Sequence, residues 1–131
     1  MNGTLYALAS HRLQRAYESK REGDILLEQD ALAGAVNRFY YSVFYGTRAL
    51  LALKEIDSSR HSGVISHFHL HFVKTGLFDR ETAKILSRTF EKRQDSDYTD
   101  FIMLNRPDTE IMAREVTMFI DECRRVVEAL K

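Results

Sequence analysis

The sequence has few of the residues that interrupt helices or cross-link a chain. Its 131 residues include one proline, six glycines and one cysteine. So few chain breakers argue against a sandwich or barrel, which needs frequent turns. A single cysteine, Cys123, excludes an intrachain disulfide, and its place in an apolar stripe predicts a buried, unreactive thiol.

Long apolar runs and net charge are also lacking. No stretch approaches the roughly 18 apolar residues that cross a bilayer, and the N-terminus has no signal-peptide core. We therefore expect a soluble, cytoplasmic protein. The 19 basic and 19 acidic residues cancel, so no global field attracts the chain to nucleic acid or membranes. A local basic patch has to be found residue by residue. The length fits one domain, residues 1–131.

What is present is helical periodicity along most of the chain. Apolar spacing predicts helices over about 4–28, 30–53 and 59–74, a fourth from Asp79, and a last one beginning at Pro107. Asp30 is a candidate N-cap for the second helix, and Gly23 is expected to kink or end the first. Residues 94–106 are expected to be irregular or a broken helix end. The fold class is therefore all-α, an antiparallel bundle of four to five helices.

The second of these helices has two contrasting faces. Its apolar stripe contains Ala33, Val36, Tyr40, Val43, Thr47, Leu50 and Leu51. The opposite side has Arg38, Tyr41, Tyr45 and Arg48, with Asn37 at the border. Arginine grips phosphate and tyrosine stacks on unpaired bases, so a nucleotide or single-stranded RNA fits this face. The same residue types are enriched in helix–helix and dimer interfaces, which is the alternative interpretation.

Small residues add to the interface interpretation. Ser42, Gly46 and Ala49 lie near one another on the second helix, where another helix can approach closely. Together with the aromatic face, these small residues form more contact surface than the packing of a single core needs. We therefore expect a homodimer.

The segment Arg93-Gln94-Asp95-Ser96-Asp97-Tyr98 permits two interpretations. If the helix continues, Arg93 and Asp97 are four residues apart and form an ion pair. If it ends here, Arg93 and Tyr98 can point into one cleft, where arginine can stabilise a pentavalent phosphate. Tyrosine is a poor general acid or base, because its pKa is near 10.

Histidines form a third candidate group. His67 and His71 are four residues apart, a spacing that can bind a transition metal, but no cysteine or second motif completes a ligand set. We therefore predict no metal and no cofactor. His61 follows Arg60 near a predicted helix start, where backbone N–H groups and Arg60 can hold an anion.

Three segments together carry a resemblance to a known family. AVNRFYYSVFYGTRALL, RHSGVISHF with FVKTG, and RQDSDY resemble the HEPN domains of prokaryotes, in particular a stand-alone branch. The resemblance runs from about Leu8 to Leu130. It implies an all-α bundle of about five helices, a homodimer, and a minimal nucleotidyltransferase as partner protein.

The resemblance also implies an activity. Many HEPN proteins are metal-independent endoribonucleases or toxins with a signature of arginine, four to six residues, then histidine. Arg93 corresponds to that arginine, but no histidine follows within six residues, and Tyr98 stands at the shortest spacing. Ribonuclease activity would then depend on a neutral tyrosine or on His61 approaching in the fold. The competing hypothesis is a non-enzymatic adaptor that binds a nucleotidyltransferase or a nucleotide.

Overall fold

The described part of the chain is a bundle of helices. The computed structural model describes residues 3–98 and 103–131, with Tyr98 described by its backbone alone. These residues form five α-helices and no strand. The helices are α1 (Gly3–Glu28), α2 (Leu32–Leu53), α3 (His61–Phe68), α4 (Arg80–Tyr98) and α5 (Arg106–Ala129), and α3 continues into a π-helical turn (His69–Val73). The predicted all-α class is confirmed.

Contacts between α1, α2 and α5 give the helix directions. The α1–α2 link is short, and Ser42 of α2 donates a hydrogen bond of 2.7 Å to the carbonyl of Ala16 in the middle of α1. Near the other end, Arg12 donates to the carbonyl of Arg48 at 3.1 Å. Early residues of α1 therefore meet late residues of α2, so this pair is antiparallel. The α1–α5 pair is antiparallel as well, because Tyr6 bonds to Glu128 at 2.8 Å.

The core lies along the apolar stripe of α2. The stripe residues Val36, Tyr40, Val43, Leu50 and Leu51 are all buried. One residue assigned to this stripe, Ala33, is instead exposed, because it lies in the first turn of α2 at the end of the bundle. Long amphipathic helices gain most of their stability from such burial rather than from helix propensity.

Two expectations about the α1–α2 corner are wrong. Gly23 neither kinks nor ends α1, which continues to Glu28, because the missing side chain leaves room for the ring of Phe39. Asp30 is not the N-cap of α2, since its φ of 59° places it in the left-handed turn between the helices. The N-cap is Ala31, and Asp30 accepts a 2.6 Å hydrogen bond from Arg106.

The small residues of α2 are used inside the chain. Ser42 bonds to α1 as described, and a Cβ at Gly46 would lie 3.1 Å from Sγ of Cys123 on α5. These positions let neighbouring helices approach, as their size predicts. They do not supply a free surface for a second copy.

Helix ends elsewhere agree with the predictions in part. Pro107 lies in the first turn of α5, whose N-cap Asn105 accepts a hydrogen bond of 2.8 Å from the backbone N–H of Asp108. Residues 94–98 are helical rather than irregular, because α4 extends to Tyr98. The remainder of the predicted irregular segment includes residues 99–102, which lie outside the described residues. No helix within residues 3–98 and 103–131 is long and apolar enough to cross a membrane.

Candidate functional site

The candidate site is centred on Tyr40, which is completely buried in the middle of α2. Its hydroxyl is hydrogen-bonded to Nδ1 of His61, the first residue of α3. The His61 ring lies parallel to the ring of Phe44, with 4.7 Å between the ring centres. Phe90 of α4 closes another side, with its ring centre 6.1 Å from that of His61. The imidazole is thereby fixed in an aromatic enclosure, here called the Tyr40 cluster.

The environment controls the protonation of this cluster. Burial lowers the pKa of His61 below its usual value, and the positive charge of Arg93 lowers it further. Burial also raises the pKa of the Tyr40 phenol, so this hydroxyl keeps its proton at neutral pH. A neutral imidazole and a protonated phenol can each donate or accept in the bond between them, depending on which ring nitrogen carries the proton.

Arg93 of α4 is the cation of the cluster. Its guanidinium carbon lies 5.2 Å from the ring centre of Tyr40 and 5.6 Å from that of Tyr41, distances typical of cation–π contacts. Its Nε lies 2.9 Å from Oδ2 of Asp97, four residues further along α4. That contact is an ion pair without the alignment of a hydrogen bond, since Nε has no hydrogen-bond acceptor among the described residues.

The outer face of α2 continues away from this cluster. Arg38 stacks on Tyr41 with 5.1 Å between its guanidinium carbon and the ring centre. Its NH2 group donates a 3.1 Å hydrogen bond to Oδ1 of Asn37, and its other terminal nitrogen lies 3.9 Å from Glu22. Arg38 and Tyr41 therefore lie on one face of α2, as predicted, and Arg93 of α4 contacts the same ring of Tyr41.

Further along α2, each cation is already engaged within the chain. The guanidinium of Arg15 lies 5.1 Å from the ring centre of Tyr45 and donates to its hydroxyl at 3.2 Å. Arg48 pairs with Asp57 at 3.1 Å, which lowers the pKa of that carboxyl. The end of the face near Tyr45 is thus joined to α1 and to the loop before α3.

Two of the predicted site residues, Arg60 and Tyr98, lie apart from the cluster or outside the described side chains. Arg60 is exposed just before α3, and its side chain forms no hydrogen bond or ion pair with the described residues. The side chain of Tyr98 lies outside the described part of the chain. The rings of His67 and His71 stack with 5.8 Å between centres. Among residues 3–97 and 103–131, no group of three or more histidine, cysteine or acidic side chains could hold a metal.

Three members of the cluster, Tyr40, Phe44 and Phe90, are not among the site residues predicted from the sequence. The apolar spacing predicts Tyr40 as a core residue, and it does lie in the core. A tyrosine at a predicted core position indicates a polar neighbour, because a buried tyrosine usually needs a hydrogen-bond partner. The partner could not be found from spacing, since His61 is 21 residues away on another helix.

Chemically, the cluster brings a fixed positive charge and a neutral imidazole to one tyrosine. A guanidinium can bind a phosphate, and an imidazole with a lowered pKa can accept a proton near neutral pH. The flanking tyrosines offer ring faces beside these groups. Such an arrangement is suited to binding a phosphate ester next to a stacked base.

Comparisons with known proteins agree with this fold. The family model of the HEPN domain matches residues 9–131. The chain is 36% identical over 118 residues to a UPF0332 protein of Thermotoga maritima, covering 90% of this chain and 89% of that protein. It is 32% identical over 122 residues to a protein of Methanocaldococcus jannaschii named "Putative toxin MJ0605", covering 91% and 86%.

A second Methanocaldococcus jannaschii protein, named "Putative toxin MJ0142", is 30% identical over 113 residues, with 86% of this chain and 77% of that protein covered. The family match includes every residue of the Tyr40 cluster. The resemblance inferred from the three sequence segments is confirmed: this chain belongs to the HEPN domain family.

Proposed function

We propose that this protein is a metal-independent endoribonuclease that acts as a toxin. In this proposal Arg93 binds the scissile phosphate and His61 transfers protons. The observation that carries it is the convergence of a guanidinium and a pKa-lowered imidazole on the buried Tyr40. This places a histidine beside Arg93 although none follows it closely in sequence.

Arg93 is suited to phosphate binding because its guanidinium donates no hydrogen bond to any of the described residues. Its buried Nε has no acceptor among them, and Asp97 lies beside that one edge of the guanidinium. The tyrosine rings beneath hold the guanidinium in place. A phosphate bound at the other edge would receive charge-assisted hydrogen bonds, and the same contacts would stabilise the pentavalent transition state.

The chemical step needs no metal. Nε2 of His61 removes the proton of a ribose 2′-hydroxyl while Nδ1–H donates to the oxygen of Tyr40. The 2′-oxygen bonds to phosphorus, the bond from phosphorus to the 5′-oxygen breaks, and the imidazolium returns its proton to that leaving oxygen. The products are a 2′,3′-cyclic phosphate and a 5′-hydroxyl.

The outer face of α2 would bind the rest of the RNA. Tyr41 and Tyr45 offer ring faces for unpaired bases, and Arg38, positioned by Asn37, adds positive charge beside them. Arg60 would contact a neighbouring phosphate near His61. Asp97 would orient Arg93, and Tyr98 stays a candidate for the same site on sequence grounds.

The toxin role is supported by two relatives whose names describe them as toxins. Within this proposal the protein is a homodimer and forms a pair with a nucleotidyltransferase, which restrains it. The family resemblance is the basis for both partners.

The test is an RNA cleavage assay in the presence of EDTA. The substrate is an end-labelled single-stranded RNA, and the matched control is the same sequence as DNA, which lacks the 2′-hydroxyl. We expect RNA to be cut to fragments with cyclic phosphate and 5′-hydroxyl ends, and DNA to stay intact. Cut DNA, 5′-phosphate ends or uncut RNA would each contradict the proposal.

A second candidate function is that of an adaptor without catalysis. The observation that favours it is the internal pairing on the outer face of α2, where Arg15, Arg38 and Arg48 all have partners within the chain. Such paired cations are typical of an interface as well as of an RNA site. Stable co-purification with a nucleotidyltransferase, without any RNA cleavage, would favour this function.

A further inference from the structure

A second surface lies between α3 and α4, away from the Tyr40 cluster. It is a groove of about 390 Å³ whose floor is apolar and whose edges are polar or basic. The residues lining it are Ile65, Phe68, His69, Val73, Lys74, Arg80, Ala83, Lys84, Leu86 and Ser87. None of these side chains takes part in the proposed cleavage of RNA.

The charged side chains that line the groove are all basic. Lys74, Arg80 and Lys84 all line it, and no carboxylate does so among the described residues. Lys84 is paired with Glu81 at 3.0 Å. Lys74 and Arg80 are exposed and form no ion pair within the described ranges 3–98 and 103–131. Two unpaired cations therefore stand at the edge of an apolar depression.

The π-helical turn contributes to this shape. His69 and Val73, its first and last residues, both line the groove, and the backbone N–H of Lys74 bonds to the carbonyl of His69 at 2.8 Å. The turn that ends α3 therefore forms one side of the groove.

We propose that the groove binds an acidic, amphipathic segment of a partner protein. Apolar side chains of that segment would enter the floor around Ile65 and Ala83, and its carboxylates would meet Lys74 and Arg80. This combination of buried apolar anchors and charged edges is the helix-in-groove mode of recognition. The inference does not depend on whether the protein cleaves RNA.

Other occupants fit the groove less well. A nucleic acid would gain little from an aliphatic floor, and the one phenyl ring there, Phe68, is only 2% exposed and offers no stacking face. A second copy of this chain in a symmetric contact would place the same basic edges against each other, because a two-fold interface uses one patch twice. Charge complementarity thus favours an acidic partner protein.

The binding test uses fluorescence anisotropy with a labelled amphipathic peptide made of leucine and glutamate. One comparison peptide has lysine in place of glutamate, and another has serine in place of leucine. We expect saturable binding of the acidic peptide only. The double variant Lys74→Glu/Arg80→Glu should bind it about tenfold more weakly or worse, since both attractive charges become repulsive.

The matched control is Arg21→Glu/Arg114→Glu, which makes the same change in net charge at exposed positions outside the groove. It should bind the acidic peptide as the wild type does. Amide NMR shifts on peptide binding should be concentrated at the lining residues, for example at Ala83 and Ser87.

Several results would overturn the inference. They are the absence of saturable binding, equal weakening in both double variants, or shifts spread evenly over the surface. Polyuridylate that competes for the same residues would identify a nucleic-acid groove instead. A change in oligomeric mass caused by Lys74→Glu/Arg80→Glu would identify a second copy as the occupant.

Discussion

The hydroxyl of Tyr40 and Nδ1 of His61 share a hydrogen bond that joins the middle of α2 to the first residue of α3. Tyr40 is fully buried, so this bond also satisfies a polar group in the core. It holds the imidazole within the electrostatic reach of Arg93 on α4. One bond therefore has a structural role in the bundle and, in the proposed mechanism, a positioning role for His61.

Replacing Tyr40 by phenylalanine should measure the structural role. We expect the free energy of unfolding to fall by about 1–2 kcal/mol, because the ring nitrogen of His61 loses its buried partner. Tyr41→Phe is the control, since the hydroxyl of Tyr41 bonds to none of the described residues. Urea denaturation of both variants provides the measurement, and equal unfolding free energies would contradict the expectation.

Stability should depend on the protonation of His61. Its pKa is lower in the folded than in the unfolded protein, so the unfolded state binds more protons in mildly acidic solution. The free energy of unfolding should therefore show no loss from His61 above a pH of about 6.5, the ordinary pKa of histidine. It should decrease as the pH falls from there toward the folded-state pKa.

Denaturation at a series of pH values checks this direction. The variant His61→Gln should show a shallower dependence on pH between about 5 and 7.5, because it removes this one histidine and leaves the others unchanged. NMR titration of the His61 ring should also give a pKa below about 6.5, the ordinary value for histidine. A His61 pKa above that ordinary value would contradict the described enclosure.

Gly23 should resist substitution although it lies inside a helix. Alanine is favoured over glycine there by about 1 kcal/mol from propensity alone. A Cβ at this position, however, would lie 2.5 Å from a ring carbon of fully buried Phe39. We expect Gly23→Ala to destabilise the protein overall, since overpacking costs about 1–3 kcal/mol.

Two further variants isolate the cause of that loss. Gly34→Ala is the control in α2, because the nearest atom is the mobile end of Leu26 at 3.2 Å, and it should be neutral or stabilising. Phe39→Leu should partly rescue Gly23→Ala in a double-mutant cycle. Additive effects would show that the ring is not what excludes the methyl group.

Cys123 should be chemically inert while the protein is folded. The side chain is completely buried and burial raises the pKa of its thiol, so little thiolate is present to react. A colorimetric thiol reagent should label the protein only after denaturant is added. Rapid labelling of the native protein would contradict the described packing of α5.

Most of the fold could be predicted from the sequence because its periodicity is strong. The helix over Gly3–Glu28 and the one starting near Pro107 agree closely with the apolar spacing. The errors lie at the ends of elements. Asp30 is a good N-cap by type, yet it serves in a left-handed turn that Arg106 stabilises from another helix. The residues next to Asp30 in the sequence give no indication of that long-range contact.

The candidate site could be predicted only in part for the same reason. The spacing of Arg38 and Tyr41 on one helix face follows from helical geometry and is confirmed. The pair of Arg93 and Asp97 likewise follows from their separation of four residues. The bond between Tyr40 and His61 depends on how α3 packs against α2, which no spacing rule within one helix can specify.

Of the two observations that predict a homodimer, only the aromatic face of α2 still supports it. Ser42 and Gly46 are accounted for by α1 and α5 within the chain. Tyr41, Phe44 and Tyr45 are half-buried and keep part of their surface exposed. Light scattering should give about twice the chain mass of 15.2 kDa. A mass close to that of one chain at all concentrations would contradict the prediction.

The effect of Arg93 on RNA cleavage tests the proposed function most directly. The measurement compares wild type, Arg93→Ala and Lys92→Ala in EDTA, with circular dichroism confirming that all three are folded. Lys92 is an exposed neighbour on α4 outside the Tyr40 cluster. We predict that Arg93→Ala reduces the cleavage rate about a hundredfold or more, while Lys92→Ala cleaves like the wild type. Equal cleavage by all three proteins would contradict the proposal.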